Sequence, residues 1–283
     1  MEIMVIIAVI GILAAVFISR MSGASDRVNI SKGQAWSNSI RSSLTGGRVF
    51  EWNFDEGAGT TTVDKTGTNT GTLINGPAWK SGSNCVSGSC LEFDGSNDYV
   101  SVPDVPSLEI AGNLTLSFWV KPDVLSNNFM PIVTKEYAKE WLVAVDVRSG
   151  IKTLAWRHGD GTVESISFDN VFTDGEIWYH IACSRTFSPK TLTCYKNGVK
   201  LGTVPYVKDI TSGKKPLTIG SGYSYYYKGL IDEVRIYDSA LSLSAIRKDY
   251  ITGLGQLLAK GQITEEDYQK RLTGLDPTYS VNE

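Results

Sequence analysis

The sequence predicts an α+β chain: a long N-terminal hydrophobic helix over residues 1–48, an antiparallel β-sandwich over 49–250, and a short helical tail over 251–283. Three observations carry this. Residues 3–18, IMVIIAVIGILAAVFI, are an unbroken apolar run. From Val49, short β-branched and aromatic runs alternate with clusters of Gly, Asn, Asp and Ser. After Tyr250 the apolar spacing turns helical again. Composition marks the same first boundary: residues 1–48 contain only Phe17 and Trp36 among the aromatics, and no proline precedes Pro77. The formal charge of −3 splits there too. Arg20, Arg27, Lys32, Arg41 and Arg48 against Glu2 and Asp26 give +3, leaving −6 for the rest. A hydrophobic fraction of 42% with 20% charged residues excludes wholesale disorder, a polytopic membrane protein and a strongly basic nucleic-acid binder.

As a helix, Met1 to Ile18 rises about 27 Å, enough to span a thin bilayer. A cleaved signal peptide would need a positive start and a small-residue cleavage site, and neither is present. A plain anchor leaves Glu2 unexplained, because a carboxylate heading an apolar helix is costly to bury unpaired. In a bundle of such helices a neighbour's N-terminal ammonium would pair with it. The segment E-I-M-V-I-I-A-V-I-G-I-L-A-A-V resembles the N-terminus of type IV pilins and pseudopilins, with Glu2, Ala8, Gly11, Ile12, Leu13, Ala14 and Ala15 in matching order and spacing. In that family the glutamate is normally the fifth mature residue; here it is the second. The resemblance implies that Glu2 and Gly11 serve assembly. Glu2 would set the register, and the helix would loosen near Gly11. It further implies a homopolymer joined through this helix, held in the inner membrane before assembly and then part of an extracellular filament. Trp36, Ile40 and Leu44 continue an apolar stripe, and Gly46-Gly47 is a helix stop.

In the body, LTLSFWV (114–120), WLVAVDV (141–147), WYHIAC (178–183) and LIDEVRIY (230–237) read as strands, and Lys196-Asn197-Gly198-Val199 as a type I′ hairpin. His158, in RHGDG, reads as a turn residue and His180 as a strand residue. WNFDEGAGTTTVDKTG (52–67), GTLINGPAW (71–79), LEFDGSNDYVSVPD (91–104), LTLSFWVKP (114–122), WYHIAC, YKNGVKLGT (195–203) and GLIDEVRIYDSALS (229–242) together resemble the laminin-G-like, concanavalin-A-like jelly-roll family. The resemblance implies a complete sandwich used for adhesion, sugar binding or spacing. It also implies one bound calcium, and the first and last strands of such folds lie close, which would bring Asp64 to Asp232. Asp64, Asp232 and Glu56 are the candidate ligands, against a reading of the same carboxylates as turn and strand-end groups.

Four cysteines allow three connectivities. The local pairs Cys85–Cys90 and Cys183–Cys194 are favoured over free buried thiols, and disulfides would place the body outside the cytoplasm. No nucleophile elbow, P-loop, dinucleotide fingerprint or zinc-protease motif is present, so the chain reads as a non-enzyme. SGYSYYYKG (221–229) concentrates four tyrosines, which would either stack on sugar faces and partners or share themselves between core and surface. In the tail, Thr264 reads as an N-cap with Glu265, Glu266 and Asp267 behind it, and Gly274 as a stop. That tail would either clamp a neighbouring subunit or pack on its own sandwich. The expected function is a structural subunit of a type IV pilus-like filament, with a carbohydrate-binding adhesin or a minor pseudopilin as the alternatives. A glycan or surface ligand is the expected partner of the sandwich, and no nucleic acid is expected.

Overall fold

The structure, a computed structural model, describes residues 47–66, 69–123, 125 and 128–275. The expected N-terminal helix, with Glu2 and Gly11, lies outside these except at its last two positions, where Gly47 is in a turn and Arg48 already opens a strand. The chain divides between Gly47 and Arg48 into two units, and every element below belongs to the second.

Two large antiparallel sheets face each other. The first runs, edge to edge, β14 (Val199–Pro205), β13 (Thr191–Lys196), β12 (Tyr179–Thr186), β7 (Leu114–Pro122), β18 (Lys228–Tyr237), β5 (Ser89–Asp94) and β4 (Ala78–Ser81). β1 (Arg48–Trp52) pairs with the second half of β18, so the chain's first and last strands are neighbours. The second sheet runs β11 (Val163–Phe168), β10 (Thr153–Gly159), β9 (Trp141–Asp146), β8 (Phe129–Lys135), β15 (Leu217–Ile219), β6 (Tyr99–Val102), β3 (Thr70–Ile74) and β2 (Thr61–Val63). A small hairpin, β16 (Ser221–Gly222) and β17 (Tyr225–Tyr226), forms a third sheet.

Strand periodicity explains the layering. In β7, Leu114, Leu116, Phe118 and Val120 join the core between the sheets, while Trp119 belongs to a separate cluster on the outer face. β12 divides likewise: Tyr179, Ile181 and Cys183 face in, and Ala182 faces out. In β9, Val143 and Val145 face the core, while Leu142 and Ala144 build an outer cluster with Phe129 and Tyr225. The runs LTLSFWV and WLVAV are therefore nearly continuous in apolar residues because both of their faces are covered.

The outer face of the first sheet is covered by α1 (Leu243–Ala259) and α2 (Glu265–Thr273). Tyr250, Leu254, Leu257, Leu272 and Leu275 pack with Trp119, Trp178 and the Cys85–Cys90 bridge, and the Tyr250 and Trp119 rings stack at 5.7 Å. Of the two readings of the tail, the structure shows packing on its own sandwich. Thr264 caps α2 as expected, its side chain accepting from the Asp267 amide. α1, however, opens at Leu243, inside the segment read as sandwich, because Ser242 in DSALS is also an N-cap and accepts from Ala245.

Both local disulfides are present, Cys85–Cys90 and Cys183–Cys194, the second bridging directly opposed residues of β12 and β13. The Asn197-Gly198 hairpin has φ of 52° and 72°, as a type I′ turn requires. His158 departs from expectation. It lies in β10, fully buried and opposite Glu164 of β11, because the turn falls after it, between Gly159 and Val163. Among the described residues, no helix is long and apolar enough to cross a membrane.

Candidate ligand-binding cleft

The β16–β17 hairpin lies on the outer face of the second sheet, against β8. Gly222 makes this approach possible: a Cβ there would sit 2.3 Å from Thr134 Oγ1 and 3.0 Å from Leu142 Cδ1. The hairpin turns through Tyr223 and Ser224, at φ 55° and 63°, left-handed conformations that cost non-glycine residues on the order of 1–3 kcal/mol each. That turn presents Tyr223, 62% exposed, while Tyr227 just beyond is buried in the core. The tyrosine run is thus divided between surface and core.

Tyr223 does not project alone. Its ring lies 4.5 Å from that of Tyr137, from the β8–β9 loop, and 6.5 Å from that of Tyr225, at 19° to it. Tyr225 packs edge-on against Phe129 at 5.4 Å. The guanidinium groups of Arg148 and Arg157 sit 4.6 and 4.3 Å over the Phe129 ring. Asp146 holds both arginines, Arg148 through two bonds of 2.9 and 2.7 Å and Arg157 at 3.5 Å. The hydrogen bonds that Arg148 donates to Asp146 raise the Arg148 pKa and outweigh its partial burial. The tyrosine row therefore rests on a fixed cation–aromatic layer.

Beside this row runs a cleft of about 570 Å³. Tyr137, Tyr223, Tyr226 and Tyr99 give it aromatic walls, and Ser101, Thr134, Thr218 and Ser221 give it hydroxyls. Thr134 is 5% exposed and its Oγ1 has no hydrogen-bond partner among the described residues. Glu136 lines the cleft from a left-handed backbone position, φ 40°. Its Oε2 accepts from the Lys214 and Lys215 amides at 2.7 and 3.3 Å. Burial alone would raise its pKa, but those amides and the charges of Lys139 and Lys215 hold it below the ordinary value. The carboxylate is therefore ionised and fixed in place. Mixed aromatic walls and convergent hydroxyls in a cavity of this size are the usual makeup of a small-ligand site.

A second cleft, about 620 Å³, lies across β5, β7 and β18. Glu92, Asp94, Asp98, Asp123 and Glu176 dominate its lining, with Lys121 and Lys228. Its DGSND stretch is turn chemistry: Asp94 accepts from the Ser96 amide at 2.7 Å and Asp98 from the Asp94 amide at 3.2 Å. It has no stacked tyrosine wall.

The profile of the concanavalin A-like lectin/glucanases superfamily (laminin G type) matches residues 94–247, more than half of the chain. The chain belongs to this superfamily. No curated protein matches it. Among solved structures it is similar to the binding domain of Paraclostridial mosquitocidal protein 1, at TM-score 0.61 and 19% identity over 75% of this chain and 53% of that one. It is also similar to the botulinum neurotoxin serotype D binding domain, at 0.59 and 16% over 74% and 52%. The serotype D ligand-binding domain solved in complex with N-acetylneuraminic acid gives 0.59 and 16% over 74% and 51%. The chain spans about half the length of these structures, and identities this low establish a shared fold alone.

Within this superfamily fold the three carboxylates expected to hold calcium are each engaged separately. Asp64 accepts from the Glu51 and Thr66 amides at 2.8 and 2.9 Å and from the Asn69 side chain at 3.2 Å. Glu56 accepts from the Val63 amide at 2.7 Å and from Thr62 Oγ1. Asp232 is buried, with Oδ2 bound by the Val86 and Ser87 amides at 2.9 and 3.1 Å. Burial, then the neighbouring Glu233, raise its pKa well above the carboxylate range. Asp232 Oδ1 has no partner, yet among the described residues no group of three or more His, Cys, Asp or Glu side chains is arranged to hold a metal. Of the cleft itself, sequence reasoning found only the tyrosine run. Tyr99, Thr134, Glu136 and Tyr137 come from separate strands and loops, and no motif joins them.

Proposed function

We propose that this chain is a non-enzymatic, lectin-type surface-binding module that takes a glycan in the tyrosine-lined cleft. The observation that carries the reading is the close Tyr223–Tyr137 ring pair, 4.5 Å between centroids. It is an exposed aromatic surface, held by a strained turn and backed by fixed arginines, beside a pocket of hydroxyls and one fixed carboxylate. Sugars present an apolar C–H face and a polar edge, and such a wall and rim match both. The fold likeness to a toxin domain solved with N-acetylneuraminic acid is a reason to test sugars. Calcium enters only as a chelator arm of the test. Residues 1–48 are proposed to display the module. Glu2 and the run that follows it favour a subunit that waits in the inner membrane and then joins an extracellular filament. Glycan-array binding of the full chain, with and without chelator, tests the first part. Tyr223→Ala should abolish the signal, and no glycan binding at all would refute the reading. Filament yield from a Glu2→Leu chain, seen by electron microscopy, tests the second: normal filaments would refute it.

A further inference from the structure

We infer that the cleft selects a neutral sugar over an acidic one, an inference that rests on the glycan-binding reading above. The argument is the state of the charges around the cleft. Among the described residues, Glu136 and Lys215 are the charged side chains that line it. Glu136 is fixed by two amide N–H groups, with a side chain only 14% exposed, while Lys215 is an exposed rim residue. The fixed charge of the site is therefore negative.

An acidic sugar, whether sialylated, uronate or sulfated, needs an uncommitted cation. The cations nearby are already paired. Lys135 holds Asp104 at 2.8 Å and Glu140 at 3.1 Å, beneath the surface. Lys139 faces Glu136 at 3.6 Å, and Lys214 is paired with Glu109. Arg148 and Arg157 share Asp146. The Lys215 charge already acts on Glu136. An anionic ligand would approach the fixed Glu136 carboxylate with only the exposed rim residue Lys215 to offset the repulsion.

A neutral pyranoside meets no such barrier. Its C–H face stacks on Tyr223 and Tyr137, and a hydroxyl donates to Glu136 Oε1, which faces Lys139 Nζ at 3.6 Å. Ser101 and Thr218 line the same cleft and offer further hydroxyl contacts.

The test compares neutral pyranosides (glucosides, galactosides, mannosides, N-acetylglucosaminides) with sialylated, uronate and sulfated glycans. It uses the full chain in a zwitterionic, sugar-free detergent. At least tenfold tighter binding of a neutral member is expected. A hydrogen bond to a charged group carries about ten- to hundredfold in affinity, so Glu136→Gln should lose that much. Lys215→Glu, which replaces the rim cation of the cleft with a second negative charge, should widen the neutral-over-acidic ratio. Thermal melts check that Glu136→Gln is folded; if it is not, the Lys215→Glu comparison decides. Tighter binding of an acidic glycan, lost in Lys215→Glu and in Tyr223→Ala, would overturn the neutral selection and leave the cleft standing. Binding by neither class, or binding indifferent to Tyr223→Ala, would overturn the glycan reading and this inference with it.

Discussion

Gly253 sits in α1 where the helix presses on the sheet. A Cβ added there would lie 2.4, 2.6 and 2.7 Å from three atoms of the Trp119 indole. Gly255, two residues on in the same helix, has nothing within 4 Å of its added Cβ. Both Gly→Ala changes gain helix propensity, about 1 kcal/mol each. Only Gly253→Ala adds a clash, and its neighbour cannot swing aside: Trp119 is buried, with its ring stacked on Tyr250 at 5.7 Å and against the tilted His180 ring at 5.2 Å. Overpacking of this kind costs about 1–3 kcal/mol, and three rigid sub-3 Å contacts put it at the upper end. Gly255→Ala is therefore expected to be stabilising by about 0.5–1 kcal/mol. Gly253→Ala is expected to fall about 2–3 kcal/mol below it, since the shared propensity term cancels. In a folded unit of this size that gap is on the order of 4–12 °C in Tm. Thermal melts followed by tryptophan fluorescence read it directly. Equal Tm values for the two variants would refute the placement of α1 on Trp119, and would point back to a tail that docks elsewhere.

Two further outcomes are expected. His180 is fully buried with Nε2 at 3.0 Å from Ser117 Oγ, and burial depresses its pKa from 6.5 to about 3. The unfolded chain takes up a proton below 6.5 while the folded one does not, so stability is lost as pH falls from 6.5 towards 3. The slope approaches about 1.4 kcal/mol per pH unit, or about 2 kcal/mol by pH 5. His158, its pKa also lowered first by burial, acts in the same direction. Urea midpoints at pH 7 and 5 should show the loss, and His180→Gln should flatten it; an unchanged slope contradicts the burial. Asp232 has the opposite sign, because its raised pKa makes it costly to ionise as pH rises. Asp232→Asn keeps an acceptor for the Val86 and Ser87 amides, so at pH 7 it should melt within about 1 kcal/mol of wild type. A large loss, together with calcium-dependent stabilisation of the wild type, would show a cation at this site after all.

The parts legible in the sequence are those written in a local period. The alternation in LTLSFWV and WLVAVDV gives strands, and the local cysteine spacings give both bridges. Thr264 followed by three acids gives a helix start. What was not legible depends on residues distant in the chain. Nothing in KEYAKE marks Glu136 and Tyr137 as cleft residues. They become so because the β8–β9 loop meets a hairpin almost ninety positions later, as the Tyr137–Tyr223 ring contact shows. RHGDG reads as a turn from His158 on, but the ladder runs through His158 to Gly159, paired with Val163. The strands near Asp64 and Asp232 are adjacent, as the grouping of the two requires. Yet each carboxylate is spent on its own set of amides, a detail set by loop geometry that strand order does not encode.

The central claim is that the Tyr223–Tyr137 wall binds sugar. The most direct measurement is saturation-transfer NMR of neutral pyranosides against the wild-type chain and Tyr223→Ala. Tyr223 is exposed and its removal leaves the core intact, so the variant should fold and melt normally. The account expects transfer to the sugar C–H face in the wild type and loss of at least about tenfold in affinity in the variant. Equal transfer in both, or none in either, would contradict it.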